Sequence, residues 1–266
     1  MEKIKPSDTG ILVGRSPFYE DNQLKRYSTD DPTIYVERYS TIGAADFQKY
    51  AAAGEAAFQQ YLDTYSTMRA KLLSLGLDGY VPELIDFGID DAAGGAAWAS
   101  YGLPTESCYS LREVLNSHED GLDGRDWGWM ANRILAVLAE SSRSAVVDLD
   151  NVLVDPEGHG VVLLGWRPVS AATSPIAGLY ETMKIVLAEG EDRGVQLNFM
   201  EEACQDFARN RRGYTDSGVV DYDAFYYTYQ DAARDYKAVL RNLYGKPQFR
   251  QFSVDSSKSL PFGAVR

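Results

Sequence analysis

Apolar and polar positions change period several times along the chain, and each change marks an element. Between residues 10 and 40, short apolar runs alternate with turn residues, which predicts three strands of a small antiparallel sheet. These are Gly10–Gly14, Gln23–Tyr27 and Thr33–Tyr39, with Asp30-Asp31-Pro32 turning the chain before the third. From Ala44 to Leu75 helix formers dominate. Phe58, Tyr61, Leu62, Tyr65, Met68, Leu72 and Leu75 recur there at spacings of three and four, so one long helix is predicted. Trp127–Glu140 is amphipathic, with Met130, Ile134, Leu135 and Leu138 toward a core. A further helix starts near Pro175 and runs to Gly190, and Phe199–Asn210 and Tyr222–Leu243 also carry helical spacing. Residues 246–266, rich in Ser and containing Pro261-Phe262-Gly263, read as a flexible tail, either simply untethered or serving as a docking segment or a target for modification.

The most specific stretch is Ser144–Trp166. Asn151–Val154 and Val161–Leu164 are short apolar runs, and Asp155-Pro156-Glu157-Gly158-His159 between them supplies the Pro and Gly of a hairpin connection. Asn-Val-Leu-Val-Asp opens the hairpin and Gly165-Trp166 follows its second strand. This resembles the catalytic-loop region of the protein kinase-like superfamily, in which H-x-D-x-x-x-x-N precedes a strand, a turn, a second strand and D-F-G. Aligned without a gap, Asn151 takes the metal-binding Asn, Val146 the catalytic Asp and Ser144 the His. Gly165, Trp166 and Arg167 then stand for Asp, Phe and Gly. Shortening the loop by two residues instead lets Asp148-Leu149 stand for the family's Asp-Leu. In either alignment Gly165 offers no side chain where the family's metal ligand belongs.

The resemblance extends over residues 10–245. It implies an α+β, kinase-like two-lobed fold: a small sheet with one long helix over residues 1–101, a larger, mainly helical lobe over 102–245, and the tail. The glycine loop reads Gly14-Arg15-Ser16-Pro17-Phe18-Tyr19, with one glycine kept. Arg38 is best spaced for the strand Lys that meets phosphates, although its planar fork does not reproduce a Lys point charge. An outward-facing strand Arg is the alternative reading. The helix Glu that pairs with that Lys falls on Met68, and Glu55 and Asp63 sit on earlier turns. Residues 80–116, from Val81-Pro82 to the run Ser110–Leu115, follow the family's fourth and fifth strands, hinge and first helix of the large lobe. Asp86-Phe87-Gly88 spells the metal motif but lies on the wrong strand, upstream of the loop, and reads as structural. Few residues separate Trp166 from Pro175, so almost no activation segment remains.

Composition narrows the classes. The 266 residues suffice for a sizeable core, and 45% hydrophobic with 24% charged is ordinary for a globular chain. A net charge of −13 argues against nucleic acid as a partner. Cys108 and Cys204 have no ligand or disulfide spacing and read as idle thiols. No apolar run reaches the length of a membrane span, and the expectation is a cytoplasmic protein. His118 and His159 read as exposed loop residues without a nucleophile or metal partner.

Three functional readings follow. The resemblance implies first a pseudokinase that acts as a scaffold or allosteric regulator through a protein partner, with no cofactor or metal expected and a vestigial nucleotide cleft at Gly14, Arg38 and Asn151. The tyrosines at 222, 226, 227, 229 and 236 then form either core or a contact face. The alternative is an atypical phosphotransferase, acting on a protein or a small molecule, that uses ATP and Mg²⁺ with Asp148, Asp150 and Asn151. The third is an unrelated α+β binding protein whose hairpin merely mimics the motif.

Overall fold

The computed structural model describes residues 17, 19–20, 24–39, 54–90, 96–141, 145–164, 166, 174–210 and 227–264. The chain divides into two compact units, Met1–Cys108 with Leu260–Arg266, and Tyr109–Ser259.

In the first unit five strands form one antiparallel sheet. They are β1 (Tyr19–Glu20), β2 (Leu24–Ser28), β3 (Ile34–Tyr39), β4 (Glu83–Asp90) and β5 (Ala96–Gly102), in the order β1-β2-β3-β5-β4. The predicted strand at Gly10–Gly14 and the start of the predicted helix at Ala44 lie outside the described residues. Helix α1 runs over Gly54–Ser74. Its buried residues Phe58, Leu62, Tyr65, Met68 and Leu72 form one stripe. That stripe meets the sheet: Phe58 packs on Tyr39 and Phe87, and Tyr65 on Tyr101. The helix stops before Leu75 because Gly76, at φ +68°, turns the chain, with Leu77 N–H bonding Leu72 O and Gly76 N–H bonding Leu73 O. Leu75, expected on the apolar face, is consequently exposed.

The second unit is mainly helical around a three-stranded sheet, β6 (Tyr109–Ser110), β7 (Val152–Asp155) and β8 (Gly160–Leu163), in that order. Its helices are α2 (Leu111–Ser117), α3 (Gly124–Ser141), α4 (Pro175–Val186), α5 (Glu191–Asn210) and α6 (Tyr229–Tyr244). Met130, Ile134, Leu135 and Leu138 are buried on α3, as their spacing predicts. Gly128 lets α6 approach closely, since a Cβ there would stand 2.7 Å from Leu240 Cδ2. The buried Gln196 amide binds three helices together: Nε2 donates to Gly124 O and to the Tyr244 hydroxyl, and Oε1 accepts from Tyr236. Helix α4 ends at Val186, earlier than the expected Gly190, because Leu122 forms a parallel bridge with Leu187.

Element order, sheet order and the helical second unit make this an α+β fold, with a five-stranded antiparallel sheet and one long helix in the first unit and mainly helices in the second. Two features bear on its limits. The units divide between Cys108 and Tyr109, and residues 103–108 keep bonding within the first unit: Leu103 N–H donates to Thr33 O, and Cys108 O accepts from Phe262. Residues 246–264 do not form a free tail. Phe252, Ser259 and Phe262 are buried, and Arg250, Asp255 and Lys258 are each paired with residues of the second unit.

Candidate functional site

The predicted hairpin is present, with Val152 opposite Leu163 and Asp155 opposite Gly160. Every residue of β7 is buried, so its side chains specify its place on both faces. The turn is closed by Asp155, whose Oδ1 accepts from Gly158 N–H at 3.0 Å. A side chain at Gly158 would collide with that carboxylate. His159 therefore takes the left-handed step, at φ +50°, which a non-glycine residue adopts only when its surroundings hold it there.

The loop entering the hairpin is organised by Asp148. Its Oδ1 accepts from Asp150 N–H (2.9 Å), Asn151 N–H (2.8 Å) and Asn151 Nδ2 (2.8 Å), and its Oδ2 accepts from the same Nδ2 at 2.8 Å. Asn151 is fully buried, and its carbonyl accepts from Leu164 N–H, which locks the loop to the end of β8. Asp150 is held by Arg112 of α2 in a two-point contact of 2.7 and 2.6 Å. The Arg112 amide also donates to Leu149 O. Upstream, Val147 O lies against α4, where Gly178 has no side chain to block it and the Thr182 hydroxyl reaches it at 3.4 Å. Asp148, Asp150 and Asn151 are thus brought together, each engaged in holding the loop. Val146, the ungapped counterpart of the catalytic Asp, is half-buried.

Trp166 takes the Phe position of the D-F-G alignment and is buried, its Nε1 donating to Leu163 O at 2.8 Å. Gly165 and Arg167 lie outside the described residues, as do Gly14, Ser144, Tyr222 and Tyr226.

In the first unit Arg38 lies on β3 opposite Lys25 and Trp98, and its neighbour Tyr39 points to the helix side. Arg38 therefore faces away from α1, which is the outward-facing strand position. The buried ion pair on the helix side is one the sequence reading missed: Arg26 Nε to Glu37 Oε1 at 2.8 Å, with both side chains almost wholly buried. Tyr39 donates to Glu37 Oε2 at 2.9 Å and shares a hydrogen bond with Tyr101. Its only sequence signal is the register that sets Arg26 opposite Glu37. Met68 is buried, as an apolar helix residue would be. Asp63 is exposed and bonded to Gln59, and the side chain of Glu55 is outside the described residues.

No family model matches the chain, and no curated protein matches its sequence. Solved structures do. One is vaccinia related kinase 3, at 16% identity over 86% of this chain and 86% of that chain, with a TM-score of 0.45. Another is the kinase domain of Mycobacterium tuberculosis PknI in a mutant form, at 12% identity over 84% of this chain and 93% of that chain, with a TM-score of 0.49.

The two histidines are half-buried in stacks, contrary to the expectation of exposed loops. His118 lies parallel to Phe252 at 5.2 Å, with Nδ1 on Val114 O. His159 stacks on Trp129 at 4.0 Å and touches Phe249. Burial, and then the Arg133 charge, hold its pKa below the ordinary His value. Tyr236 is fully buried, so within the tyrosine stripe it is core, while Tyr227 and Tyr229 lie half-buried against Phe207.

Proposed function

We propose that the chain is a kinase-like protein that acts in the cytosol through a protein partner, without transferring phosphate. The observation that carries this reading is the engagement of Asp148. A base or metal ligand needs a carboxylate oxygen turned toward a hydroxyl or an ion. Here both oxygens accept hydrogen bonds from the loop itself, and Asp150 is clamped by Arg112. The family implies ATP with Mg²⁺, and the loop carboxylates as held do not fit that ion. Among the described residues no three His, Cys, Asp or Glu side chains converge as ligands.

Phosphate transfer from labelled ATP, with Mg²⁺ or Mn²⁺, to generic protein acceptors is the direct test, together with melting temperature with and without nucleotide. The expected result is no transfer and no metal-dependent rise in melting temperature. Co-purification is expected to recover the same partner from wild type and Asp148→Asn. Metal-dependent transfer that Asp148→Asn abolishes would overturn the reading in favour of a phosphotransferase.

A further inference from the structure

One stretch of the second unit reverses the charge of the chain. Residues 237–258 carry Lys237, Arg241, Lys246, Arg250 and Lys258 against a single carboxylate, Asp255, in a protein whose net charge is −13. Arg250 and Lys258 are engaged by Asp123 and Glu119. Lys237, Arg241 and Lys246 are exposed, and among the described residues none of their side chains meets a carboxylate. Elsewhere in the same unit Arg112, Arg193, Arg209 and Arg234 each face one. With 39 acidic residues to 26 basic ones in the chain, three successive cations without a partner stand out as a surface kept clear of acidic side chains.

Helix geometry sets these cations in line. Lys237 and Arg241, four residues apart on α6, lie on one face a turn apart. Ala238 and Asn242 beside them are exposed and uncharged. Gly245, at φ +77°, ends the helix, and Lys246 follows it at once. The negative pole of α6 offsets roughly half of one charge, so the patch stays positive. Beyond it Pro247 leads to Phe249, which is 80% exposed although its ring touches that of His159 at 5.2 Å. Three residues of fully extended chain span about 10 Å, so Phe249 stays within reach of a ligand laid on Lys246. A ring left in water costs free energy that an apolar contact recovers.

We propose that Lys237, Arg241, Lys246 and Phe249 form the docking surface for an acidic, extended segment of a partner protein, with an apolar side chain of that segment set on Phe249. This deepens the reading of a protein partner given above and rests on it. The occupant follows from charge and from breadth. Its carboxylates supply the counter-charges that the fold withholds. A bilayer or a nucleic acid duplex is broad and would bring its phosphates against the acidic remainder of the surface, whereas a single segment touches the patch alone. At 0.1 M salt, charges beyond about 10 Å are largely screened, so the segment meets the cations rather than the net charge of the chain.

The test uses the full chain and two short fluorescent peptides, followed by anisotropy at about 0.1 M salt. One peptide is a run of glutamates with leucines at its centre, and the other has serines in place of the leucines. The leucine peptide is expected to bind wild type saturably. Lys237→Gln, Arg241→Gln and Lys246→Gln combined are expected to weaken it about tenfold or more. Phe249→Ser is expected to weaken the leucine peptide about fivefold and to leave the serine peptide unchanged. Arg209→Gln, at an exposed cation paired with Asp206, is expected to change neither. The four positions of the patch are exposed, so these variants are expected to melt as wild type does. Absence of saturable binding would overturn the proposal, as would undiminished binding by the triple or the Phe249 variant. Tighter binding of phosphatidylserine vesicles or of a DNA duplex through the same cations would overturn it too, and so would variants that fail to fold. Each of these results leaves the partner reading itself to phosphate transfer and co-purification, so the two failures are told apart.

Discussion

The side-chain amide of Asn151 lies 2.8 Å from both oxygens of the Asp148 carboxylate. With the two backbone amides that also reach Oδ1, this makes Asp148 the residue that shapes the loop, and Asn151, fully buried, the residue that fastens it to β8. Asp148→Ala leaves those donors without their acceptor and is expected to cost about 1–3 kcal/mol. Asp148→Asn, which keeps one carbonyl oxygen, is expected to cost less. Urea denaturation of the two variants orders the effects.

Arg26 and Glu37 form a buried pair across β2 and β3. Arg26→Ala strands a buried carboxylate and is expected to cost about 3–5 kcal/mol, whereas replacing both residues by Met costs far less, because no charge is then left unpaired. A double-mutant cycle measured by chemical denaturation yields the coupling. Similar losses for the single and the double variant would refute this account.

Asp86-Phe87-Gly88 lies on β4, and its glycine serves packing. A Cβ at Gly88 would stand 2.8 Å from the Trp98 ring, so Gly88→Ala is expected to destabilise by about 1–3 kcal/mol through overpacking. Among the described residues the Asp86 carboxylate accepts from its neighbour's amide, Phe87 N–H at 3.0 Å, and Asp86→Ala is expected to stay within about 1 kcal/mol. Thermal melts of both variants separate a packing role from a metal-binding one, which would make Asp86 the sensitive position in any nucleotide-dependent readout.

His159 supplies a pH dependence whose sign is fixed. Burial and Arg133 hold its folded pKa below the unfolded value, so the unfolded chain binds its proton more readily. The stabilising contribution is complete above the ordinary His pKa of about 6.5 and is lost as pH falls through the folded value. His159→Asn, which tolerates the left-handed backbone, is expected to flatten stability against pH between about 7 and 5 relative to wild type. An unchanged slope would place the titration elsewhere.

Cys204 is expected to be chemically quiet. Burial, then the charges of Glu181 and Glu201, push its thiol up to about 11, leaving on the order of one thiolate in three thousand at pH 7.5. Cys108 is buried as well. Thiol titration is expected to show slow reaction of both in the native protein and fast reaction of two thiols in denaturant.

Local pattern was enough to place the hairpin at Asn151–Leu164, the stripe Phe58–Leu72 and the buried face of α3. In each case a single period in the chain reports which side is buried, and the motif order then implied the kinase-like α+β arrangement. The sequence also placed Asp148, Asp150 and Asn151 within one short loop. Their roles were decided by tertiary structure, because Arg112 reaches Asp150 from α2 and Leu164 reaches Asn151 from the end of β8. The same holds for Arg26 with Glu37, where strand register sets the partner, and for the stacked histidines, which looked like loop residues until Trp129 and Phe252 covered them. Pro261-Phe262-Gly263 shows the limit most plainly. Composition reads it as a flexible end, yet its burial depends on Tyr35, Cys108 and Pro32, residues more than a hundred positions away that no local period can report.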